Sequence, residues 1–205
     1  MIHTPDMLDN LRRRVSERVS QKRFSHILGV ERCAAYLGRL ILPELTDELS
    51  AAALLHDVAK EIPMEIQLEL ISKNGFILTD EDRNTEGIIH AFTAPIIVMR
   101  DFKDFATKNI LSAIMWHTVG KADMTVFEKI IFVSDYCEDT RKYDSCIKAR
   151  KALFDNIEAL SLQERLLRLD KACIMAIDGA IEALTKQSSP VNSRIYDTRK
   201  SLIKH

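Results

Sequence analysis

The sequence predicts an all-α fold, a single bundle-like domain of about eight helices. Glycine and proline are scarce, with 6 and 5 in 205 residues, whereas β-rich folds need more turn residues. Apolar residues recur at helical spacing along almost the whole chain. Hydrophobic residues make up 46% and charged residues 29%, a balance typical of a soluble protein that buries a core.

Helix boundaries follow from prolines, glycines and capping residues. The segment TPD at 4–6 combines an N-cap, an N1 proline and a first-turn acid. A long helical stretch is therefore predicted from there to about residue 40, before Pro43. The later helices are predicted over about 47–60, 63–73, 79–100, 103–117 and 124–138, and the segment TDED at 79–82 resembles a capping box that opens the third of these. Two more helices follow, separated by a second capping box at 161–164.

Several residues refine these boundaries. Asn74-Gly75 is a typical helix end, and Pro95 predicts a kink or a break within the helix that runs to about residue 100. Asp123 is the predicted N-cap of helix 124–138. The polar segment KQSSPVNS predicts a linker, so we divide the chain into a domain at 1–189 and a C-terminal tail at 190–205.

Charge and composition exclude several classes of function. The net charge is −1 and the Lys and Arg residues are scattered, which argues against nucleic-acid and membrane-surface partners. No run of 18 apolar residues exists, and the first residues lack the apolar stretch of a signal peptide. The four cysteines form no C-x-x-C pair and predict reduced thiols. We expect a cytoplasmic protein; a homodimer is left open.

Four of the six histidines fall on different predicted helices or at their ends, at positions 26, 56, 90 and 117. The helical period points His26, His56 and His117 toward the core, and it does the same for Asp135. Singly, each could be a satisfied core histidine or an ion-paired acid. A buried carboxylate is costly unless it is paired or coordinated, and converging imidazoles and carboxylates suit Fe, Mn, Co or Zn.

The set also has a distinctive order, H…HD…H…H…D, on an all-α chain. This order resembles the HD-domain superfamily of metal-dependent phosphohydrolases. The stretches RFSHILGVERCAAYLG, AALLHDVAKEIP and WHTVGKADMTVFEKIIFVSDYCE, with the downstream Arg141, are similar to the bacterial YqeK-type symmetrical diadenosine tetraphosphate hydrolases. The likeness covers about residues 15–185.

The resemblance implies two divalent metal ions, iron first, with Mn, Co or Zn also suited to the ligands. The implied ligands of one ion are His26, His56, Asp57 and Asp135. The implied ligands of the second are His90 and His117, with Asp57 bridging the two ions. The implied reaction is attack of a metal-bridging hydroxide on a phosphorus of diadenosine tetraphosphate, which cuts it symmetrically into two ADP.

A substrate so rich in negative charge also needs cationic and hydroxyl-bearing neighbours. Arg23 shares a helix face with His26, and Lys60 shares one with His56. Together with Asp57, the residues Arg23, Lys60 and Thr118 form the implied catalytic set. The implied substrate-binding residues are Arg23, Lys60, Thr118, Lys121, Arg141 and Arg199. Without the resemblance, each could equally be a surface salt bridge, a helix cap or a solvated loop residue.

Three other functions stay open. The first is an HD-domain nucleotidase or phosphatase acting on nucleoside mono- or diphosphates, which product identity would separate. The second is a diiron oxygenase, which oxygen consumption would reveal. The third is a non-catalytic module that keeps its metal as a structural element, and the complete ligand set argues against it.

Overall fold

The computed structural model describes residues 4–203, and within that range the chain contains eleven α-helices and no strand. The predicted all-α class is confirmed, but the expected number of about eight helices is wrong. His3 and His205 lie outside the described range. The helices are α1 (Pro5–Ser16), α2 (Gln21–Ile41), α3 (Thr46–Leu55), α4 (Met64–Lys73), α5 (Asp80–Asn84), α6 (Glu86–Asp101), α7 (Lys108–Trp116), α8 (Val126–Cys137), α9 (Asp144–Phe154), α10 (Leu162–Lys186) and α11 (Arg194–Ile203).

Two of the additional helices arise because polar residues interrupt stretches of helical period. Ser20 has an extended backbone, and its side chain accepts a hydrogen bond from the Arg23 amide, so it ends the first stretch and caps α2. Thr85 leaves helical geometry with φ −106° and ψ 78°. It separates α5 from α6, although the capping box that opens α5 at Thr79 is as predicted.

The other boundary signals have mixed outcomes. Pro95 does not break its helix, because α6 continues on both sides of it. Asp123 is not the cap of α8: it adopts a left-handed φ of 55°, and Thr125 caps the helix in a complete capping box. The helix start at Thr4 and the capping box at Ser161 are confirmed.

The centre of the bundle is α3, whose residues from Leu49 to Leu55 are all buried. A helix that is apolar on every side must be surrounded by other helices. Helices α1, α2, α7 and α8 pack against it. The chain leaves α3 directly into His56 and Asp57, so this buried helix delivers these two polar side chains into the interior.

The C-terminal segment forms α11, which packs on α10. The hydroxyl of Thr198 donates a hydrogen bond of 2.9 Å to the carbonyl of Val119, in the loop after α7. Gly120 follows with φ +69°, and a Cβ there would collide with the Thr198 side chain. Helix α11 therefore holds the loop that begins at His117. Within residues 4–203, no helix is both long and apolar enough to cross a membrane.

Candidate metal centre

Six histidine and aspartate side chains converge where five helices meet. His26 lies in α2, His90 in α6 and Asp135 in α8, while His56 and His117 directly follow α3 and α7. His26, His56, Asp57, His90 and His117 are all buried. These residues come from positions far apart in the chain. The packing of α2, α7 and α8 around α3, and of α6 against α7, brings them together.

Asp57 stands between two pairs of imidazoles. Its Oδ1 lies 3.1 Å from Nε2 of His90 and 3.7 Å from Nε2 of His117. Its Oδ2 lies 3.7 Å from Nε2 of His26 and 3.6 Å from Nε2 of His56. Each carboxylate oxygen thus faces its own pair of nitrogens, which is the arrangement a bridging ligand requires.

Asp135 completes the pair formed by His26 and His56. Its Oδ1 lies 3.0 Å from Nε2 of His26 and 3.9 Å from Nε2 of His56. On the other side of Asp57, the Nε2 atoms of His90 and His117 face each other at 3.1 Å. Ligand atoms separated in this way can share one ion at metal–ligand distances of about 2.0–2.2 Å.

The hydrogen bonds of the imidazoles support this assignment. Nδ1 of His56 donates to the carbonyl of Ala53 at 2.6 Å, and Nδ1 of His117 donates to the carbonyl of Ile114 at 2.6 Å. The proton is then on Nδ1, so Nε2 presents its lone pair to the cluster. Nε2 of His56 is buried and has no hydrogen-bond partner within residues 4–203. A divalent cation would satisfy this nitrogen.

The charge states also suit a metal. Burial lowers the pKa of His56 to about 4 and that of His90 to about 3, so both imidazoles are neutral at pH 7. Burial alone would raise the pKa of Asp57 and Asp135, but the neighbouring imidazoles, together with a guanidinium beside Asp135, hold it well below the usual range. These four residues therefore offer neutral nitrogen and anionic oxygen, which hard and borderline divalent ions prefer.

Glu138 is a buried carboxylate that the sequence reasoning missed. Its Oε1 lies 3.2 Å from Nδ1 of His26, and it also accepts hydrogen bonds from the amide and the hydroxyl of Thr140. Burial lowers the pKa of His26, but Asp135 and Glu138 outweigh it and raise the pKa to about 9. Glu138 follows Asp135 by one helical turn, and this i, i+3 spacing was the available signal.

Three of the predicted basic residues contact the cluster. Nη1 of Arg23 donates to Oδ2 of Asp57 at 2.7 Å, and Nη2 of Arg141 donates to Oδ1 of Asp135 at 2.7 Å. Nζ of Lys60 lies 3.2 Å from Nδ1 of His90. Positive charge therefore surrounds the cluster on several sides.

The other predicted substrate-binding residues lie in different surroundings. Thr118 directly follows His117, and its hydroxyl oxygen is buried without a hydrogen-bond partner in the described part of the chain. Lys121 is paired with Glu128 at 2.7 Å and does not touch the cluster. Arg199 forms an exposed pair with Asp178 at 2.5 Å, on the surface between α11 and α10. The structure therefore does not bring Arg199 to the histidine cluster.

Comparison with known proteins defines the class of protein. Residues 23–140, more than half of the chain, match the family model described as "HD domain", so the chain belongs to the HD domain family. This match spans the whole ligand set from His26 to Asp135. The family match and the buried cluster together support a metal-dependent hydrolase.

Individual relatives are more specific. The chain is 28% identical to a Bacillus subtilis protein named "Bis(5'-nucleosyl)-tetraphosphatase, symmetrical", over 86% of this chain and 87% of that one. A protein of the same name from Halalkalibacterium halodurans is 27% identical, over 92% and 93% of the two chains. A crystal structure from Clostridium acetobutylicum, described as a predicted HD superfamily hydrolase involved in NAD metabolism, aligns with a TM-score of 0.81 and 27% identity over 96% of each chain.

Proposed function

We propose that this protein hydrolyses diadenosine tetraphosphate symmetrically to two ADP, at a centre of two divalent metal ions. The observation that carries the proposal is the position of Asp57, whose two oxygens face separate pairs of buried imidazole nitrogens. The names of the relatives supply the substrate class. Iron is the first candidate for both ions, and Mn, Co or Zn also fit the ligands.

The six side chains divide into two ligand sets. His26, His56 and Asp135 would hold one ion together with Oδ2 of Asp57. His90 and His117 would hold the other together with Oδ1. When bound, two such ions lower the pKa of a coordinated water and neutralise charge on a phosphoryl group. Because the carboxylate of Asp57 belongs to both ligand sets, it would fix the position of one set relative to the other.

The basic side chains complement the negative charge of the polyphosphate. Arg23, Lys60 and Arg141 each contact a ligand residue, so they lie beside the phosphoryl group that would react. Fixed cations that face developing negative charge stabilise the transition state more than the ground state. Arg23 and Arg141 also hold the ligand carboxylates in place by short hydrogen bonds.

The first test is the identity of the products. Protein purified without oxygen and loaded with Fe²⁺ or Mn²⁺ should convert diadenosine tetraphosphate to ADP alone. Asp57→Ala removes the bridging carboxylate and should abolish the reaction, whereas Asp178→Ala changes an exposed acid outside the centre and should not. Full hydrolysis by Asp57→Ala would contradict the proposed centre, and ATP plus AMP would contradict the symmetrical cut.

Measurements of phosphate release, oxygen consumption and metal content on the same protein separate the other functions that the sequence left open. Release of inorganic phosphate from a nucleoside mono- or diphosphate, with diadenosine tetraphosphate intact, would replace the proposal with a nucleotidase. Consumption of oxygen in the presence of substrate would replace it with an oxygenase. Two bound metals with no turnover of any nucleotide would leave a non-catalytic metal module.

A further inference from the structure

The proposed ligand Asp135 lies in the last turn of α8, which ends at Cys137. The last turn of a helix frays more readily than its middle, because its carbonyls lack intrahelical partners. Two acids, Asp135 and Glu138, also lie at this end, where the helix dipole is negative, and the last turn contains no basic residue. The position of Asp135 therefore depends on donors and cations from outside α8.

Two arginines supply these donors and cations. Arg141 donates from Nε to the carbonyl of Asp135 at 3.1 Å, in addition to its hydrogen bond with the Asp135 carboxylate. Arg150, which lies on α9, donates from Nε to the carbonyl of Cys137 at 2.6 Å. Its Nη2 donates to the carbonyl of Glu138 and, at 2.8 Å, to that of Arg141. Cations that bond the last carbonyls of a helix also offset its dipole.

The three carbonyls that Arg150 bonds all belong to the segment 137–141. This segment contains no proline, so no residue in it has a φ fixed by a ring. Its side chains reach the metal centre, because Glu138 contacts His26 and Arg141 contacts Asp135. Arg150 therefore holds the backbone whose side chains contact two of the proposed ligands.

Arg150 reaches this segment from a well-anchored helix. Ala149 and Leu153 of α9 are buried, and α9 packs against both α8 and α10. A planar guanidinium bonds several carbonyls in one geometry, whereas an ammonium is a point charge on a flexible stem. Within residues 4–203, Arg150 makes hydrogen bonds only to main-chain carbonyls and none to the six proposed ligands. Its effect on the centre passes through the backbone of 137–141.

We propose that Arg150 is a positioning residue for the metal centre, which holds segment 137–141 so that Asp135 and His26 keep the geometry one ion needs. The inference rests on the proposed function, because it assumes the centre of two ions. The segment contacts only ligands of the ion at Asp135. Arg150 should therefore support the binding of that ion and leave the other ion unaffected.

A second arginine provides a matched control. Arg165, on α10, is half-buried like Arg150 and also donates to three main-chain carbonyls. They are those of Ile157, Leu40 and Glu158, at 3.1, 2.8 and 2.7 Å. None of these three residues bonds to a proposed ligand. Arg150→Lys and Arg165→Lys each keep the positive charge and lose the fork of donors. Arg150→Gln, which also removes the charge, is the second test variant.

Two measurements on the metal-free proteins need no turnover. Hydrogen exchange follows the amides of Thr140 and Arg141, which donate to the carboxylate and to the carbonyl of Glu138. Calorimetric titration with Mn²⁺ gives the affinity of each of the two ions. Thermal unfolding shows that each variant is folded before the comparison is made.

Arg150→Lys should increase exchange at both amides and weaken the binding of one Mn²⁺ by about tenfold, the lower end for loss of a group that supports a ligand. The other Mn²⁺ should bind as tightly as in the wild type. Arg150→Gln should show the same pattern with larger changes. Arg165→Lys should match the wild type in both measurements.

Unchanged exchange and Mn²⁺ affinity in both Arg150 variants would overturn the inference. Equal weakening of both ions would also overturn it, and so would the same losses in Arg165→Lys. Failure of the proposed function has a different signature. A protein that binds two ions and behaves as expected in these tests, but forms no ADP from diadenosine tetraphosphate, would overturn the proposed function and leave the role of Arg150 intact.

Discussion

At the scale of single residues, the hydrogen bond that Nδ1 of an imidazole makes fixes its tautomer and orientation, and so determines whether Nε2 can bind a metal ion. His56 and His117 donate from Nδ1 to main-chain carbonyls, which no side-chain substitution removes. His26 instead depends on the carboxylate of Glu138. Gly29 permits this contact, because a Cβ there would collide with the Glu138 carboxylate. Glu138 is therefore a positioning residue whose effect on metal binding can be tested directly.

Glu138→Gln should weaken metal binding, because an amide is a poorer acceptor than a carboxylate for the His26 N–H. Losses of an outer carboxylate of this kind are about 10- to 100-fold in metal affinity. Titration of the metal-free protein with Mn²⁺ or Fe²⁺ in competition with a chelator measures the change. Glu158→Gln, an exposed acid that bonds Tyr36, is the control and should bind metal as the wild type does. Equal affinity in Glu138→Gln would show that His26 needs no such partner.

At the scale of elements, α11 and the loop after α7 depend on each other. Gly120 has a left-handed φ of +69° and also packs directly beneath Thr198 of α11. Gly75 has nearly the same φ, +74°, but a Cβ there would have nothing within 4 Å. The two glycines therefore separate the cost of backbone strain from the cost of displacing α11.

Gly75→Ala should lower the free energy of unfolding by about 1–2 kcal/mol, the cost of a left-handed conformation for an L-residue. Gly120→Ala should lower the free energy of unfolding by more than Gly75→Ala does, because the added methyl group also collides with Thr198 and disturbs its hydrogen bond to Val119. Denaturant unfolding of the two variants beside the wild type gives both values. Equal losses at the two positions would mean that α11 moves away from the loop at no cost.

At the scale of the whole molecule, Asp82 ties the C-terminal segment to the middle of the chain. Its side chain is almost fully buried between Thr79, Asn192 and Arg194. The hydrogen bonds of Arg194 hold the pKa of Asp82 below its usual value, against the effect of burial. A lowered folded pKa means that the ionised form stabilises the fold above the unfolded pKa of about 3.9, and that this contribution is lost as pH falls further.

Asp82→Asn should therefore lower the unfolding temperature at pH 7, by an amount equivalent to about 2 kcal/mol for a charged hydrogen bond. The gap between variant and wild type should narrow as pH falls below about 4. Thermal unfolding at a series of pH values measures both effects. Asp178→Asn removes the exposed pair with Arg199 and should change the stability little at any pH. A gap that stays constant down to pH 3 would contradict the role given to the Asp82 carboxylate.

Local signals predicted much of this fold, and their failures have local causes. The capping boxes at Thr79 and Ser161 and the helix start at Thr4 could be predicted because each depends on residues within one turn. The break at Ser20 was missed because helical period continues on both sides of it. Asp123 failed as a cap because Thr125 forms a complete capping box, with Glu128 three residues further on.

What the sequence determined by itself is the all-α class, the inward direction of His26, His56, His117 and Asp135, and the nitrogen and oxygen chemistry of the centre. These follow from helical period and residue type, which are properties of neighbours along the chain. Tertiary structure alone decided that the two oxygens of Asp57 face different histidine pairs, that Glu138 supports His26, and that Arg199 lies away from the centre. Such contacts join side chains from different helices, and only the packing of those helices sets their distances.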